Sequence, residues 1–272
     1  MSNLLKTDQE ALSKKIKSFL FVEISQLNSI IDEFTSSNQK LIREIADYIF
    51  LSGGKRIRPV LTLLTAKLFN YNKDMVPIYL AAAVEFIHTA TLLHDDVVDD
   101  SSLRRGNETA NLKWGSKASI LVGDYLFSQA FKLMALSKDP ATLAILSNAA
   151  VRIAEGEVNQ LVSSSSLGSA YDENIEIISG KTAELFAAAC CVSASIAGQD
   201  QKIIDALWNF GLNLGILFQI IDDQLDYFAS EDDFGKKLGD DFMEGKVTMP
   251  VILSYTYGHY KKFWEAAFNK SV

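Results

Sequence analysis

Apolar residues recur at three- and four-residue intervals along almost the whole chain. Near the N-terminus, Leu12, Ile16, Leu20 and Ile24 alternate with charged side chains, a spacing that puts them on one face of a helix. The same period predicts helices over residues 4–34, 39–51, 60–70, 74–103, 116–136, 140–163, 172–197 and 201–230, with a last helical segment beginning at Pro250. No long stretch has the two-residue period of a strand. The pattern therefore predicts an all-α protein.

Length and composition predict one domain with a substantial core. The chain has 272 residues, 48% of them hydrophobic, and its composition does not change along its length. A formal charge of −8 argues against general binding to nucleic acid, whose phosphates favour clustered Lys and Arg. The neighbouring Cys190 and Cys191 do not indicate a disulfide framework, which favours a cytoplasmic location. A charged N-terminus and the lack of a long uninterrupted apolar run predict neither a signal peptide nor a transmembrane segment.

Two aspartate clusters interrupt the apolar pattern. In the first, Leu92–Asp100, helical spacing places Asp95 and Asp99 on one face and Asp96 and Asp100 on the next. Like charges at this spacing disfavour a helix by about 0.2–0.5 kcal/mol per pair, so a cation is expected to neutralise them. The second cluster has the same spacing and consists of Asp222, Asp223 and Asp226. Together the clusters predict two sides of one metal site.

The type of ligand indicates the metal. Aspartates without accompanying Cys or His clusters favour Mg2+, with Mn2+ as a substitute, over zinc. His88 and His94 lie near the first cluster, but neither has a partner at ligand spacing, so both are expected to be packed or hydrogen-bonded. Mg2+ takes only one or two protein carboxylates and is completed by phosphate and water. The site is therefore expected to bind a diphosphate.

Three basic segments could complete such a site. Gly53–Pro59 combines two glycines with three cations before a helix N-terminus, which favours phosphate binding; a solvated basic turn is the alternative. Arg104 and Arg105 can grip a metal-bound phosphate or merely form weak surface ion pairs. In Ser179–Thr182, a glycine inside a helix predicts a local kink that directs Lys181 and Thr182 into a cavity, unless it is a harmless surface irregularity.

The apolar helices behind the aspartates predict the other half of the substrate. A cavity with charge at its mouth and small apolar residues below it suits a long hydrocarbon that carries a diphosphate. The residues expected below the mouth are Ala81, Ala82, Ala83, Ala90 and Leu92.

The motifs together closely resemble those of the trans-type isoprenyl (polyprenyl) diphosphate synthases, most of all the medium- and long-chain, octaprenyl-type members. The resemblance spans about residues 55–250. It rests on Gly-Gly-Lys-Arg-Ile-Arg-Pro, on Leu-Leu-His-Asp-Asp-Val-Val-Asp-Asp followed by Arg-Arg-Gly, on Gly-Lys-Thr, and on Phe-Gln-Ile-Ile-Asp-Asp-Gln-Leu-Asp. It implies an all-helical, single-domain bundle around a central cavity, usually in a homodimer. Family members usually continue past the segment ending at Val272, so their last helices are expected to be short or missing here.

The resemblance also implies roles for individual residues. Asp95, Asp99 and Asp222 would be the main Mg2+ ligands, supported by Asp96, Asp223 and Asp226. Isopentenyl diphosphate would be held by Lys55, Arg58, His88 and Arg105. The allylic diphosphate would be held by Arg104, Lys181, Lys236 and Lys246. Thr182 and Gln219 would lie beside the allylic carbons and, with Lys181, form the catalytic group.

The implied reaction ionises the allylic diphosphate, joins it head to tail to isopentenyl diphosphate, and removes a proton through the departing diphosphate. One helical turn rises about 5.4 Å, so residues one turn below Asp95 can limit product length. Ala90 and Thr91 are small, which predicts a medium or long product of roughly eight units, with Phe127 or Phe131 as deeper floors. A phenylalanine at position 90 is predicted to shorten the product.

Three other functions fit part of this pattern. A short-chain (farnesyl or geranylgeranyl) diphosphate synthase has the same motifs but more bulk near the first cluster. A terpene cyclase shares the first aspartate cluster, but it normally lacks both the basic loop at Lys55 and the second cluster. A noncatalytic partner subunit or helical scaffold would be consistent with a short C-terminus.

Overall fold

The computed structural model describes residues 2–162, 167, 170–228, 239–243 and 245–268, and these are mostly helical. The prediction of an all-α protein is confirmed. In chain order the helices are α1 (Ser2–Phe19), α2 (Phe21–Thr35), α3 (Lys40–Leu51), α4 (Ile57–Leu68), α5 (Val76–Val98), α6 (Ala110–Trp114), α7 (Ser116–Leu136), α8 (Pro140–Val162), α9 (Ala170–Ile178), a π-helix (Ser179–Ala183), α10 (Glu184–Ile196), α11 (Gln201–Phe228), α12 (Asp240–Met243), α13 (Met249–Tyr257) and α14 (Lys261–Phe268).

The helix predicted over residues 4–34 is divided at Leu20. This side chain is fully buried, whereas Phe19 and Phe21 on either side of it are 61% and 72% exposed. The bend therefore directs one apolar residue into the core and starts α2, which packs against α5. A continuous helical period did not reveal this break, because the apolar spacing is the same on both sides of it.

The helix predicted over residues 74–103 ends earlier, at Val98. Asp100 has a positive φ of 49°, a backbone conformation that Asp tolerates and that stops the helix. A short antiparallel hairpin follows, with β1 (Leu103–Arg104) paired to β2 (Asn107–Glu108). The spacing of apolar residues did not predict this short hairpin. Two-residue strands are too short to show a period, and the positive φ values of Arg105 and Gly106 make the turn.

The glycine at position 180 does interrupt the helix predicted over residues 172–197. A five-residue π-helix, Ser179–Ala183, separates α9 from α10. At this point α8 approaches very closely: a Cβ added to Gly156 would lie 2.5 Å from the backbone nitrogen of Lys181, and one added to Gly180 would lie 3.0 Å from the Arg152 carbonyl oxygen. The two glycines therefore let the backbones of α8 and the π-helix pack against each other.

Helices α5 and α10 form the centre of the bundle. The alanines Ala81, Ala82 and Ala83 of α5 are fully buried, as is Phe186 of α10. Helix α5 packs against α4 and α7, and α10 packs against α4, α8 and α11. The two helices that carry the aspartate clusters, α5 and α11, are thus fixed relative to each other through this core.

Helices α5 and α11 are each long and apolar enough to cross a membrane. In α5, 78% of the apolar window is buried inside the protein, and in α11 the share is 11%. Core helices of soluble proteins pass the same test of length and composition. Both helices here also carry aspartate clusters toward their C-terminal ends.

Candidate active site

A cavity of about 370 Å³ lies between α4, α5, α8, α9, the π-helix, α11 and α12. Aspartates from both clusters line it, namely Asp95 in α5 and Asp99 just after it, and Asp222, Asp223 and Asp226 in α11. The prediction that the two clusters converge is therefore confirmed. Five carboxylates at the mouth of one cavity make it a strong attractor of cations.

Burial opposes ionisation of two of these carboxylates. It raises the pKa of Asp95 to about 7, an effect that Lys181 partly offsets and that Glu157 increases. It also raises the pKa of Asp223 to about 6, against a hydrogen bond from Gln219 that favours the charged form. Both carboxylates would therefore be stabilised in their charged form by a cation in the cavity.

Asp96 does not line this cavity, although it belongs to the first cluster. It is 1% exposed, and its Oδ1 accepts a hydrogen bond from Arg104 Nε at 2.7 Å. Since Asp95 and Asp99 face the cavity, the helical turn carries Asp96 to the neighbouring side of α5. In this structure Asp96 is the buried partner of Arg104, and its role as a supporting metal ligand stays a prediction.

Basic residues surround the carboxylates. The cations that line the cavity are Arg58, Arg104, Arg105, Lys181 and Lys246. Lys246 donates to Asp99 Oδ2 at 3.0 Å, which joins the segment before α13 to the first cluster. Lys55 is exposed and is not among the lining residues, so its predicted contact with substrate is not seen. Lys236 lies outside the described residues.

A buried corner of the cavity contains Arg58 and His88. Arg58 Nη1 lies 3.3 Å from His88 Nε2, and its guanidinium lies 4.3 Å from the centre of the Phe186 ring. Burial lowers the pKa of Arg58 to about 10, with Glu85 opposing the shift. Burial and Arg58 together hold the pKa of His88 well below its usual range, which favours the neutral imidazole. The positive charge of Arg58 opposes a metal ion in this corner, so Arg58 and His88 suit hydrogen bonding to an anion.

Thr182 and Gln219 form a hydrogen-bonded row that ends at the second cluster. Thr182 Oγ1 donates to Gln219 Oε1 at 2.8 Å, and Gln219 Nε2 donates to Asp223 Oδ1 at 2.8 Å. This row fixes the orientation of the Gln219 amide, whose two ends serve different partners. The two residues predicted to lie beside the allylic carbons thus do meet at the cavity wall.

The apolar part of the wall includes Leu92, as predicted, but none of the predicted alanines. It consists of Leu92, Ile177, Ile178 and Phe218, with Thr91 beside them. Ala90 is fully buried, but it is not a lining residue. Phe127 packs near the His94 ring, at 6.0 Å between centroids. Phe131 is 49% exposed and does not line the cavity, so its role as a deeper floor stays a prediction.

Several residues that the fold brings to the cavity do not stand out in the sequence. They are Gln160 of α8, Asn174 of α9 and Asp241 of α12. Glu157, one turn before Gln160, contacts Lys181 without lining the cavity itself. By spacing alone, the α8 residues resemble part of a solvated helix face. The available signal was Gly156, a glycine inside an otherwise regular helix.

The donor set fits a hard divalent cation. All the carboxylates at the mouth are aspartates, and oxygen ligands suit Mg2+. Among the residues that the structure describes, no three His, Cys, Asp or Glu side chains form a group close enough to hold one ion. A site that shares Mg2+ with a diphosphate needs only one or two carboxylates per ion, so facing aspartates still suit it.

An all-α bundle with two aspartate clusters facing one partly apolar cavity defines the class of isoprenoid synthases. Residues 39–271 match the family model described as polyprenyl synthetase, and the chain belongs to this family of trans-prenyltransferases.

Sequence relatives include medium- and long-chain synthases. The chain is 41% identical over 245 residues to the octaprenyl diphosphate synthase of Escherichia coli, covering 90% of this chain and 76% of that protein. It is 40% identical to the all-trans-nonaprenyl-diphosphate synthase (geranyl-diphosphate specific) of Rhodobacter capsulatus, covering 85% of this chain and 70% of that one. The comparisons thus support the medium- or long-chain prediction over a short-chain synthase.

Solved structures agree with the sequence relatives. The polyprenyl synthase from Caulobacter crescentus, complexed with calcium and isoprenyl diphosphate, has a TM-score of 0.90 and 44% identity, over 95% of this chain and 79% of that chain. A decaprenyl diphosphate synthase from Rhodobacter capsulatus has a TM-score of 0.87 and 44% identity, over 95% of this chain and 80% of that chain.

Proposed function

We propose that this trans-prenyltransferase condenses isopentenyl diphosphate head to tail with an allylic diphosphate and makes a medium- or long-chain all-trans polyprenyl diphosphate. One observation carries the proposal: Asp95 and Asp222, from distant parts of the chain, line the same cavity, and apolar residues line its wall. A site of this kind has a charged end for a diphosphate and an apolar side for a hydrocarbon.

Asp95, Asp99 and Asp222 would hold Mg2+, with Asp223 and Asp226 beside them and Mn2+ as a substitute. Bound there, the metal would neutralise the charge that develops on the departing diphosphate. The lining cations would add to this neutralisation. Arg104, Lys181 and Lys246 would contact the allylic diphosphate, and Arg58, His88 and Arg105 would hold isopentenyl diphosphate.

Thr182 and Gln219 would steady the allylic carbons as positive charge develops on them. Their oxygens already lie at the cavity wall, where the row of hydrogen bonds to Asp223 orients them. A carbocation forms next to the departing diphosphate, which can also accept the proton released after condensation. This assignment needs no separate basic side chain.

The proposed product has roughly eight isoprene units. Thr91, one helical turn before Asp95, is small and leaves room for a long chain, and each further turn of α5 adds about 5.4 Å of depth. Relatives named for octaprenyl and nonaprenyl products agree with this range.

We expect Thr91→Phe to shorten the product by at least one unit, because Thr91 lines the cavity and one helical turn spans about 5.4 Å. Chromatography of the radiolabelled product measures its length. Thr91→Ser is the matched control, since it keeps the hydroxyl that donates to the His88 carbonyl oxygen, and it should leave the length unchanged. Ala90 gives a weaker test because it is fully buried. A phenylalanine there would overpack the core and lower the free energy of unfolding by about 1–3 kcal/mol. An unchanged product from Thr91→Phe would mean that the chain grows along another path.

The proposed activity is tested by incubating the protein with isopentenyl diphosphate, an allylic primer and Mg2+. A synthase returns a longer diphosphate, a terpene cyclase releases a hydrocarbon, and a noncatalytic subunit gives neither.

We further propose a cytoplasmic homodimer. Exposed apolar residues on α7 and α8, including Leu121 (67%), Phe131 (49%) and Val151 (56%), support a partner on that side. Light scattering measures the mass in solution.

A further inference from the structure

The ammonium of Lys181 is held from behind by two residues of α8. Its Nζ donates to Glu157 Oε2 at 2.7 Å and to Gln160 Oε1 at 2.9 Å. The Lys181 and Glu157 side chains are 21% and 26% exposed, so this ion pair is largely shielded from water. Gln160 lines the cavity together with Lys181, but Glu157 does not. Glu157 therefore contacts the lysine on the side away from the cavity.

The backbones of α8 and the π-helix bring Glu157 and Lys181 close together. Gly156 immediately precedes Glu157, and its lack of a Cβ lets α8 approach the Lys181 backbone nitrogen. The π-helix adds a residue to the turn at the same place and changes the direction of the side chains that follow. Two local irregularities, one on each element, thus bring Glu157 and Lys181 together.

Asp95 and Lys181 line the same cavity, so their opposite charges face one space. Among the described contacts, the Lys181 ammonium bonds to Glu157 and Gln160 and not to Asp95. A lysine has a flexible stem and a compact charge, so without another partner it would pair directly with this aspartate. Such a pair would occupy a carboxylate that the proposed function needs for Mg2+.

We propose that Glu157 is a positioning residue: it holds Lys181 away from Asp95, so that the ammonium meets the allylic diphosphate while the aspartate stays available to the metal. This inference rests on the proposed function. Gln160 completes the arrangement as a neutral second acceptor. Glu157 acts through Lys181 and does not itself touch substrate.

A double-mutant cycle tests the inference. Glu157→Gln should raise the KM for the allylic diphosphate and the Mg2+ concentration at half-maximal rate, each by about 10- to 100-fold, as residues behind metal and phosphate ligands do. The KM for isopentenyl diphosphate should stay near the wild-type value. In a Lys181→Met background, Glu157→Gln should add little, because the residue through which it acts is gone. Glu155→Gln is the matched control on the same helix, since Glu155 pairs only with the exposed Arg152 among the described contacts.

A swap variant separates positioning from general stability. Glu157→Gln combined with Gln160→Glu returns one negative charge to the Lys181 ammonium and should recover much of the lost activity. A residue needed only for folding would not be rescued in this way. Wild-type values for Glu157→Gln, multiplicative losses in the Lys181→Met background, or failure of the swap in a folded protein would each overturn the inference.

The same double-mutant cycle can be measured without catalysis, by calorimetry of the affinity of each variant for magnesium diphosphate. If the wild-type protein makes no longer diphosphate, the proposed function fails. The binding cycle still decides the role of Glu157. Coupled losses of affinity support positioning of Lys181, and additive or absent losses overturn it.

Discussion

Asp95→Asn is expected to lower kcat/KM about 1,000-fold, because it removes a charge worth about 4 kcal/mol to a metal-assisted departure of diphosphate. The amide has the same shape as the carboxylate, so the cavity should keep its form. Asp95 lines the cavity directly and belongs to the cluster that faces Asp222 across it. The measurement is the rate of incorporation of labelled isopentenyl diphosphate at saturating Mg2+.

Asp100→Asn is the matched control for this variant. Asp100 belongs to the same cluster in sequence, but it is exposed, and its positive φ suits Asn as well as Asp. The control should keep wild-type kcat/KM. Equal losses in the two variants would indicate a general effect of charge near the cavity. A near-normal rate for Asp95→Asn would refute Asp95 as a metal ligand.

The helices could be predicted where apolar period and length agree. Helix α7 spans Ser116–Leu136, the range predicted from spacing, and α8 spans Pro140–Val162 within the predicted 140–163. In both, one face is buried against other helices and the opposite face carries polar or exposed residues, so the period of 3.6 decides the structure. The hairpin after α5 could not be predicted in this way, because it depends on backbone conformation at Arg105 and Gly106.

Spacing also predicted that the two aspartate clusters meet, but it could not show which side chains face inward. Asp95 and Asp96 are adjacent in sequence, and only the packing of α5 determines that the first lines the cavity and the second binds Arg104. Lys55 shows the same limit for a loop. Arg105 donates to the Gly53 carbonyl oxygen and fixes the loop from one side, while Lys55 remains exposed.

Residues that act behind the lining are the hardest to predict from one sequence. Glu157 looks like any charged residue on a surface helix until the fold brings Lys181 to it from a segment 24 positions away. Its importance depends on the pairing of two helices through Gly156 and Gly180. A glycine inside an apolar helix is therefore the useful signal, since it marks where another backbone comes close.

Asp96 is buried against Arg104 and, unlike Asp95, does not line the cavity. We therefore expect its replacement to have a large effect on stability rather than on catalysis. Asp96→Ala should lower the free energy of unfolding by about 3 kcal/mol, because it leaves the partly buried Arg104 guanidinium without its carboxylate. The side chains of Asp96 and Arg104 are 2% and 24% exposed, so water replaces the lost contact poorly. Urea unfolding followed by circular dichroism measures the change.

The Mg2+ dependence of Asp96→Ala distinguishes a structural role from a ligand role. A residue that only holds Arg104 should leave the Mg2+ requirement near the wild-type value, measured below the temperature at which the variant unfolds. Asp47→Ala is the comparison for stability, since Asp47 pairs with Arg43 on an exposed helix face and its loss should cost at most about 0.5 kcal/mol. If Asp96→Ala were as stable as Asp47→Ala but needed much more Mg2+, Asp96 would be a metal ligand. The buried ion pair with Arg104 would then have to open when substrate binds.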